Sequence, residues 1–180
     1  MHREHLKSQI AEYASRFPEE AGVVERLREF ISANANCFDR ELEPGHITGS
    51  AWLVDLSGRC VLLTHHKKLN GWFQLGGHAD GNSDILNVSL TEAQEESGIT
   101  NITSVSEDIF DIDIHLIPTH KDVPEHYHYD ITFAFQVVDS EQYVVSTESH
   151  DLAWVNTEKT AEYNPHRSMQ RMAHKWRTFI

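Results

Sequence analysis

Leu6, Ile10, Tyr13 and Phe17 recur at helical spacing among glutamate, lysine and arginine, a pattern that predicts an amphipathic helix over residues 2 to 17. Pro18 ends this helix and opens a second one, with Glu19 and Glu20 at the positive end of its dipole and Val24, Leu27, Phe30 and Ile31 on one face. The two form an N-terminal helical hairpin, suited to covering a sheet edge or making a homodimer contact. The helical pattern fails from Asn34 to Glu43, and Pro44 with Gly45 marks the passage into β structure. ITGSAWLVD and RCVLLTHH, separated by Leu56, Ser57 and Gly58, read as a hairpin rich in β-branched and aliphatic residues. Trp72 to Leu75 then form a short strand that delivers the chain to a glycine-rich turn at Gly76 and Gly77.

A helix is expected to begin near Asp84, with Asn82 or Ser83 supplying the cap oxygen and Gly98 stopping it. Leu86, Leu90 and Ala93 form its apolar face, opposite an acidic one. In DIFDIDIHLI, Phe110, Ile112, Ile114 and Leu116 alternate with Asp111, Asp113 and His115, as in a half-buried strand. After a loop with Pro118 and Pro124, Tyr127, Tyr129, Ile131, Phe133 and Phe135 point one way and His126, His128 and Asp130 the other. HDLAWVNTE is a last strand, and Asn164 with Pro165 starts a terminal helix carrying Met169, Met172, Ala173 and Trp176 at core spacing. Strands on either side of a central helix, with a second helix at the end, imply an α/β/α layered domain with a mixed sheet.

Composition narrows the classes. A chain of 180 residues, 39% hydrophobic and 24% charged, fits one ordinary globular core with appendages, not a disordered or membrane protein. No stretch reaches the ~18 apolar residues of a membrane span, so a cytoplasmic location is the expectation. The formal charge of −13 argues against a nucleic acid backbone as partner, whereas a small anionic substrate remains compatible if metal ions screen the carboxylates. Cys37 and Cys60 lack CxxC spacing and read as ordinary buried or half-buried thiols.

The chemistry concentrates in GGHADGNSDILNVSLTEAQEESGI. Glu92, Glu95 and Glu96 stand at i, i+3 and i+4, share one helical face within about 100° of arc, and should bind a hard divalent cation. The stretch resembles the box of the Nudix hydrolases, G, five residues, E, seven residues, then R-E-U-x-E-E-x-G-U. Gly77 takes the first glycine, Glu92 the glutamate after the arginine position, Ala93 the first aliphatic position, Glu95 and Glu96 the glutamate pair, Gly98 the last glycine and Ile99 the closing aliphatic. The resemblance implies a Nudix-like α/β/α sandwich over residues 37–180, preceded by the helical extension 1–36. It implies a pyrophosphohydrolase acting on a small diphosphate compound with Mg²⁺ or Mn²⁺. Glu92 and Glu96 would be the principal metal ligands, assisted by Glu95 and the Gly77 carbonyl, and the general base would be Glu92, Glu95 or a later acid such as Glu125.

Ser83 stands where that pattern has glutamate, and Thr91 where it has arginine. The arginine is expected to hold the carboxylates in position, a task for which threonine is too short and neutral; Asp84 could stand in for the missing acid. A Nudix-fold nucleotide-binding or sensor module without turnover is therefore the alternative reading. A third is an enzyme like the isopentenyl-diphosphate isomerases, which share the fold and use a histidine and glutamate metal site. The isomerase-like cysteine beside such a histidine is missing, because Leu75, Gly76 and Gly77 precede His78. His46, His78, His126 and His128 nevertheless invite a second metal hypothesis. The polar, basic loop with His65, Lys67 and Lys68 could steer phosphates, together with His78 and His128 as substrate contacts. Trp52, Trp72, Tyr127 and Tyr129 could stack on a base.

Overall fold

All ten residues of β1 (Gly45–Val54) are buried, as expected for a strand covered on both faces at the centre of a sheet. The computed structural model describes residues 3–67, 69–119, 123–147 and 149–179. Around β1 lie β2 (Cys60–His66), β3 (Gly71–His78), β4 (Ile102–Ser104), β5 (Asp111–Ile117), β6 (His126–Val137) and β7 (Ser149–Asn156). They form a seven-stranded sheet in the order β4-β6-β1-β3-β2-β7, with β5 also paired to β6. β1 runs parallel to β6 from Gly45 opposite Tyr127 to Val54 opposite Gln136, and the other pairings are antiparallel, so the sheet is mixed.

Among the described residues five α-helices complete the layers: α1 (Glu4–Arg16), α2 (Ala21–Ala33), α3 (Ile85–Ser97), the short α4 (Thr160–Tyr163) and α5 (Arg167–Phe179). Leu6, Ile10, Val24, Leu27 and Ile31 from the first two helices join Ile85 and Val88 of α3 in one core against Ile47, Ala51, Leu53, Ile131 and Phe133. On the other face Met169, Met172 and Trp176 of α5 pack on Trp52, Val54, Leu63, Phe110 and Ala134. The observed architecture is thus α/β/α, begun by two helices, as the periodicity implied. Cys37 is buried and Cys60 half-buried, and both are free thiols. Among the described residues no helix is long and apolar enough to cross a membrane.

Two expectations change. The β1–β2 hairpin pairs only at Val54 and Val61, because β3 inserts between the two strands. Residues 71–74 of β3 pair with β2 while residues 75–78 pair with β1. The turn itself is held by Asp55, whose carboxylate accepts from the backbone N–H groups of Arg59 at 2.8 Å and Cys60 at 3.0 Å. β5 begins at Asp111, so Phe110 packs under α5 while Ile112 faces the first core, and the uniform alternation expected from Phe110 onward does not hold. β4 and α4 had no clear signal, being three and four residues long.

A buried ionic cluster clamps the layers together at one end. Arg171 of α5 grips Asp111 with two nitrogens, at 2.8 and 2.6 Å, and Lys175 reaches Asp111 at 2.7 Å and Glu20 at 2.6 Å. Tyr13 of α1 accepts from Lys175 at 2.6 Å and donates to Glu20. Removing one member of a buried ion pair strands its partner without solvent. Asp111→Ala is therefore expected to lower the unfolding free energy by about 3–5 kcal/mol, read as a shift of the urea midpoint.

Candidate active site

Helix α3 begins with Asp84 as its cap, the carboxylate accepting from the Asn87 backbone N–H at 3.0 Å. The cap is thus neither Asn82 nor Ser83. Asn82 accepts instead from the Asp84 N–H at 3.0 Å. The Asp84 carboxylate is engaged at the helix start, where the dipole favours a negative charge. At the other end Gly98 adopts φ 70° and its N–H bonds the Gln94 carbonyl, a left-handed stop that suits glycine.

Gly76 and Gly77 are strand residues, not a turn. They pair with Ser50 and Gly49 of β1, and the chain reverses only afterwards, at Asp80 and Gly81, both with positive φ. The two glycines serve close approach. A Cβ on Gly76 would stand 2.8 Å from the Gly49 carbonyl oxygen and the Ser50 Cα, and one on Gly77 would collide with the Glu92 carboxyl group. Across β1, a Cβ on Gly49 would meet the Ser89 hydroxyl at 2.9 Å. Helix α3 therefore lies directly on the backbone of β1 and β3.

That contact brings the acidic residues inward. Glu96 is buried, and its carboxylate accepts from the Gly76 N–H at 2.9 Å. Glu92, one turn earlier, lies half-buried over Gly77, while Glu95 is exposed. Acidic and apolar faces consequently overlap on the sheet side of α3 instead of opposing each other, because strand glycines leave room for carboxylates. Leu86 and Leu90 pack only at the margin of the core.

Thr91 turns its hydroxyl back to the Asn87 carbonyl, at 2.9 Å, and so is occupied within its own helix. Positive charge near Glu92 comes instead from Arg40, in the loop before β1. Arg40 forms a forked ion pair with Asp80, which holds the Asp80 carboxyl below its usual range; its own pKa is raised first by that hydrogen bond and in smaller part by Glu92. Sequence reasoning missed Arg40 and Asp80, since nothing in the spacing of residues forty apart signals a pairing.

The histidines gather on the other face of the sheet. Thr48 pairs with His78 and Asp130, and His46 with His128, so strand alternation puts His46, His78 and His128 on the side away from α3, where they meet His126. Asp130 is buried beside them, accepting from the Thr48 and Ser50 hydroxyls at 2.7 and 2.8 Å. Burial first, then the neighbouring His78, lowers the His46 pKa to about 4. Burial first, then His46, lowers that of His128 to about 2. Both rings are therefore neutral at pH 7.

Other expected contacts lie apart. His65 stacks on Trp72 at 5.1 Å, at the start of β3, and His78 lies six positions further along the strand, roughly 20 Å away. Lys67 donates to the Thr147 carbonyl at 2.7 Å, and Lys68 lies outside the described residues. Among the aromatic candidates Trp52 is fully buried, Tyr129 stacks on Phe30 at 3.8 Å, and Tyr127 lies under Arg26 at 4.4 Å. Trp72 is half-buried, with Tyr163 edge-on at 5.4 Å.

This arrangement of sheet, helix and strand glycines is the Nudix fold. An Ap4A hydrolase from C. elegans in a binary complex matches with a TM-score of 0.60 at 18% identity, over 74% of this chain and 96% of that one. The MutT protein from Methanosarcina mazei Go1 matches at 0.58 and 22%, over 77% and 98%, and a NUDIX family hydrolase from Clostridium perfringens at 0.54 and 21%, over 77% and 100%. No protein-family profile and no curated protein sequence matches the chain.

The two glycines should respond differently to a methyl group. Gly76→Ala must displace β1 backbone and is expected to cost about 1–3 kcal/mol in denaturant unfolding. Gly77→Ala needs only the end of the Glu92 side chain to swing away, so its unfolding free energy is expected within about 1 kcal/mol of wild type.

Proposed function

We propose that the protein is a metal-dependent hydrolase that cleaves a pyrophosphate linkage in a nucleoside diphosphate derivative or a nucleotide. The observation that carries this reading is the seating of the Glu92 and Glu96 carboxylates on the Gly76–Gly77 backbone, with Glu95 beside them at the surface. A cluster of carboxylate oxygens with one member fixed by a backbone N–H suits a hard ion such as Mg²⁺ or Mn²⁺. Glu92, Glu95, Glu96 and the Gly77 carbonyl would hold it. When bound, such an ion neutralises phosphate oxygens and acidifies a water molecule. The protein's part is to fix the carboxylates before substrate arrives, with Glu96 anchored to β3 and Arg40 balancing charge near Glu92. Glu92, Glu95 and Glu125 remain the groups available to accept the water proton.

A panel of nucleoside diphosphate derivatives and nucleoside triphosphates with Mg²⁺ or Mn²⁺, read by released phosphate or monophosphate, tests the reading. Glu96→Gln keeps an acceptor for the Gly76 N–H but removes the charge. It is expected to reduce kcat/KM by roughly 100-fold or more with little change in unfolding free energy. Turnover equal to wild type in this variant would overturn the assignment.

The turning away of Thr91, with serine at position 83, favours a second reading, a nucleotide-binding module without turnover. Calorimetric binding of a nucleotide that is not hydrolysed anywhere in the panel would support it. In that case Thr91→Arg is expected to restore measurable hydrolysis if the missing guanidinium is the cause.

A further inference from the structure

We propose that His46, His78 and His128 bind a divalent transition-metal ion of the zinc type, at a centre separate from the α3 glutamates. One ligand nitrogen from each lies within 4.8 Å of the others. Three imidazole nitrogens around a tetrahedral zinc stand about 3.3 Å apart, so ring rotations that move the nitrogens on the order of 1 Å would close the set. The ring centroids are 4.9, 5.0 and 5.3 Å apart and the planes cross at 52°, 48° and 86°, so the rings fan about a shared point instead of stacking flat.

His46 supplies the second, independent observation. It is 2% exposed, and neither of its ring nitrogens has a hydrogen-bond partner. Leaving a buried polar nitrogen unsatisfied costs roughly 1–3 kcal/mol, and an ordinary core histidine avoids it by bonding a carbonyl or hydroxyl. A metal–nitrogen bond here would satisfy the nitrogen facing the other rings. The strands β1, β3 and β6 that carry the ligands are adjacent, which fixes their spacing before any ion binds.

The surroundings fit the same assignment. His126 meets the Pro124 carbonyl through Nδ1 at 2.8 Å, and its Nε2 stands 3.3 Å from Nε2 of His128. That orientation by a backbone carbonyl is typical of metal-binding histidines, and His126 stands ready as a further donor. Neutral imidazole is the ligating form, and it favours zinc, iron, copper or nickel over magnesium. Asp80, whose carboxyl is held below its usual range, interacts with His46 and His78 and supplies nearby negative charge. Sheet alternation sets this centre back to back with the glutamates, which approach Gly77 from the α3 side.

Co²⁺ titration of the metal-stripped full chain, followed by its visible ligand-field bands and by metal analysis, tests the proposal without substrate. The expected result is an intense tetrahedral-type band saturating at one equivalent, displaced by Zn²⁺. His128→Ala and His46→Ala are expected to weaken Co²⁺ affinity by about 10–100-fold or more, while a Glu92→Gln, Glu96→Gln double variant retains the band. If circular dichroism shows His46→Ala unfolded, the half-buried His78→Ala carries the same expectation. Absence of the band, its persistence in folded histidine variants, or its loss in the glutamate variant would overturn the proposal. None of these outcomes depends on pyrophosphate hydrolysis.

Discussion

The seating of α3 on bare strand backbone is the constraint from which the site follows. Side chains normally hold packed layers about 10 Å apart, as between two stacked sheets, and a glutamate must extend to reach a strand N–H across such a gap. Gly49 and Gly77 remove that spacer at one spot. Glu96 can then be both buried and hydrogen-bonded, which satisfies the general requirement that a buried charge find a partner. Glu92 fills the space over Gly77, and Glu95 is left outside. Three residues of one type, four positions apart at most, thereby acquire three different environments.

The sequence made some of this legible and hid the rest for physical reasons. Amphipathic periodicity located α1, α2 and α5 because each buries a single stripe, as Leu6, Ile10 and Tyr13 do in α1. The same rule misread α3, where Ser89, Ser97 and Glu96 are buried and Leu86 and Leu90 sit at the margin. Helical pattern reports polarity, and here burial was decided by the space over glycines. The glycine pair also read as a turn, since glycine's freedom and its smallness look identical in one dimension. Glutamates four apart were recognisable because their partners are local. Arg40 with Asp80, and His46 with His128, become neighbours only through strand order, which a single sequence does not encode in any short window.

A second consequence of strand order is that the two ends of the sheet do different work. Toward α5, the polar face of β5 is sealed by Arg171 and Lys175, which hold Asp111 beside Tyr13 and Glu20 from the first helices. Farther along the same strands His115, His128 and His46 take the place of the ion cluster, and no cation from a helix reaches them among the contacts described. The carboxyl groups of Asp113 and Asp130 lie between the two regions. Charge on this face is therefore met by cations of α5 at one end, while the other end holds a histidine cluster whose His115 ring contacts Asp113 at 3.1 Å.

β3 changes neighbours midway, its first half belonging to β2 and its second to β1. Side chains alternate along a strand, so a slip of one residue would exchange the positions of Gly77 and His78 and drive an imidazole into the Glu92 carboxyl group. The pairing of β3 is thus proofread from both sides, by a glycine that must face the helix and a histidine that must not. Insertions or deletions between β2 and Gly77 are confined by this to the loop before Gly71, where a change of length leaves the alternation of β3 untouched.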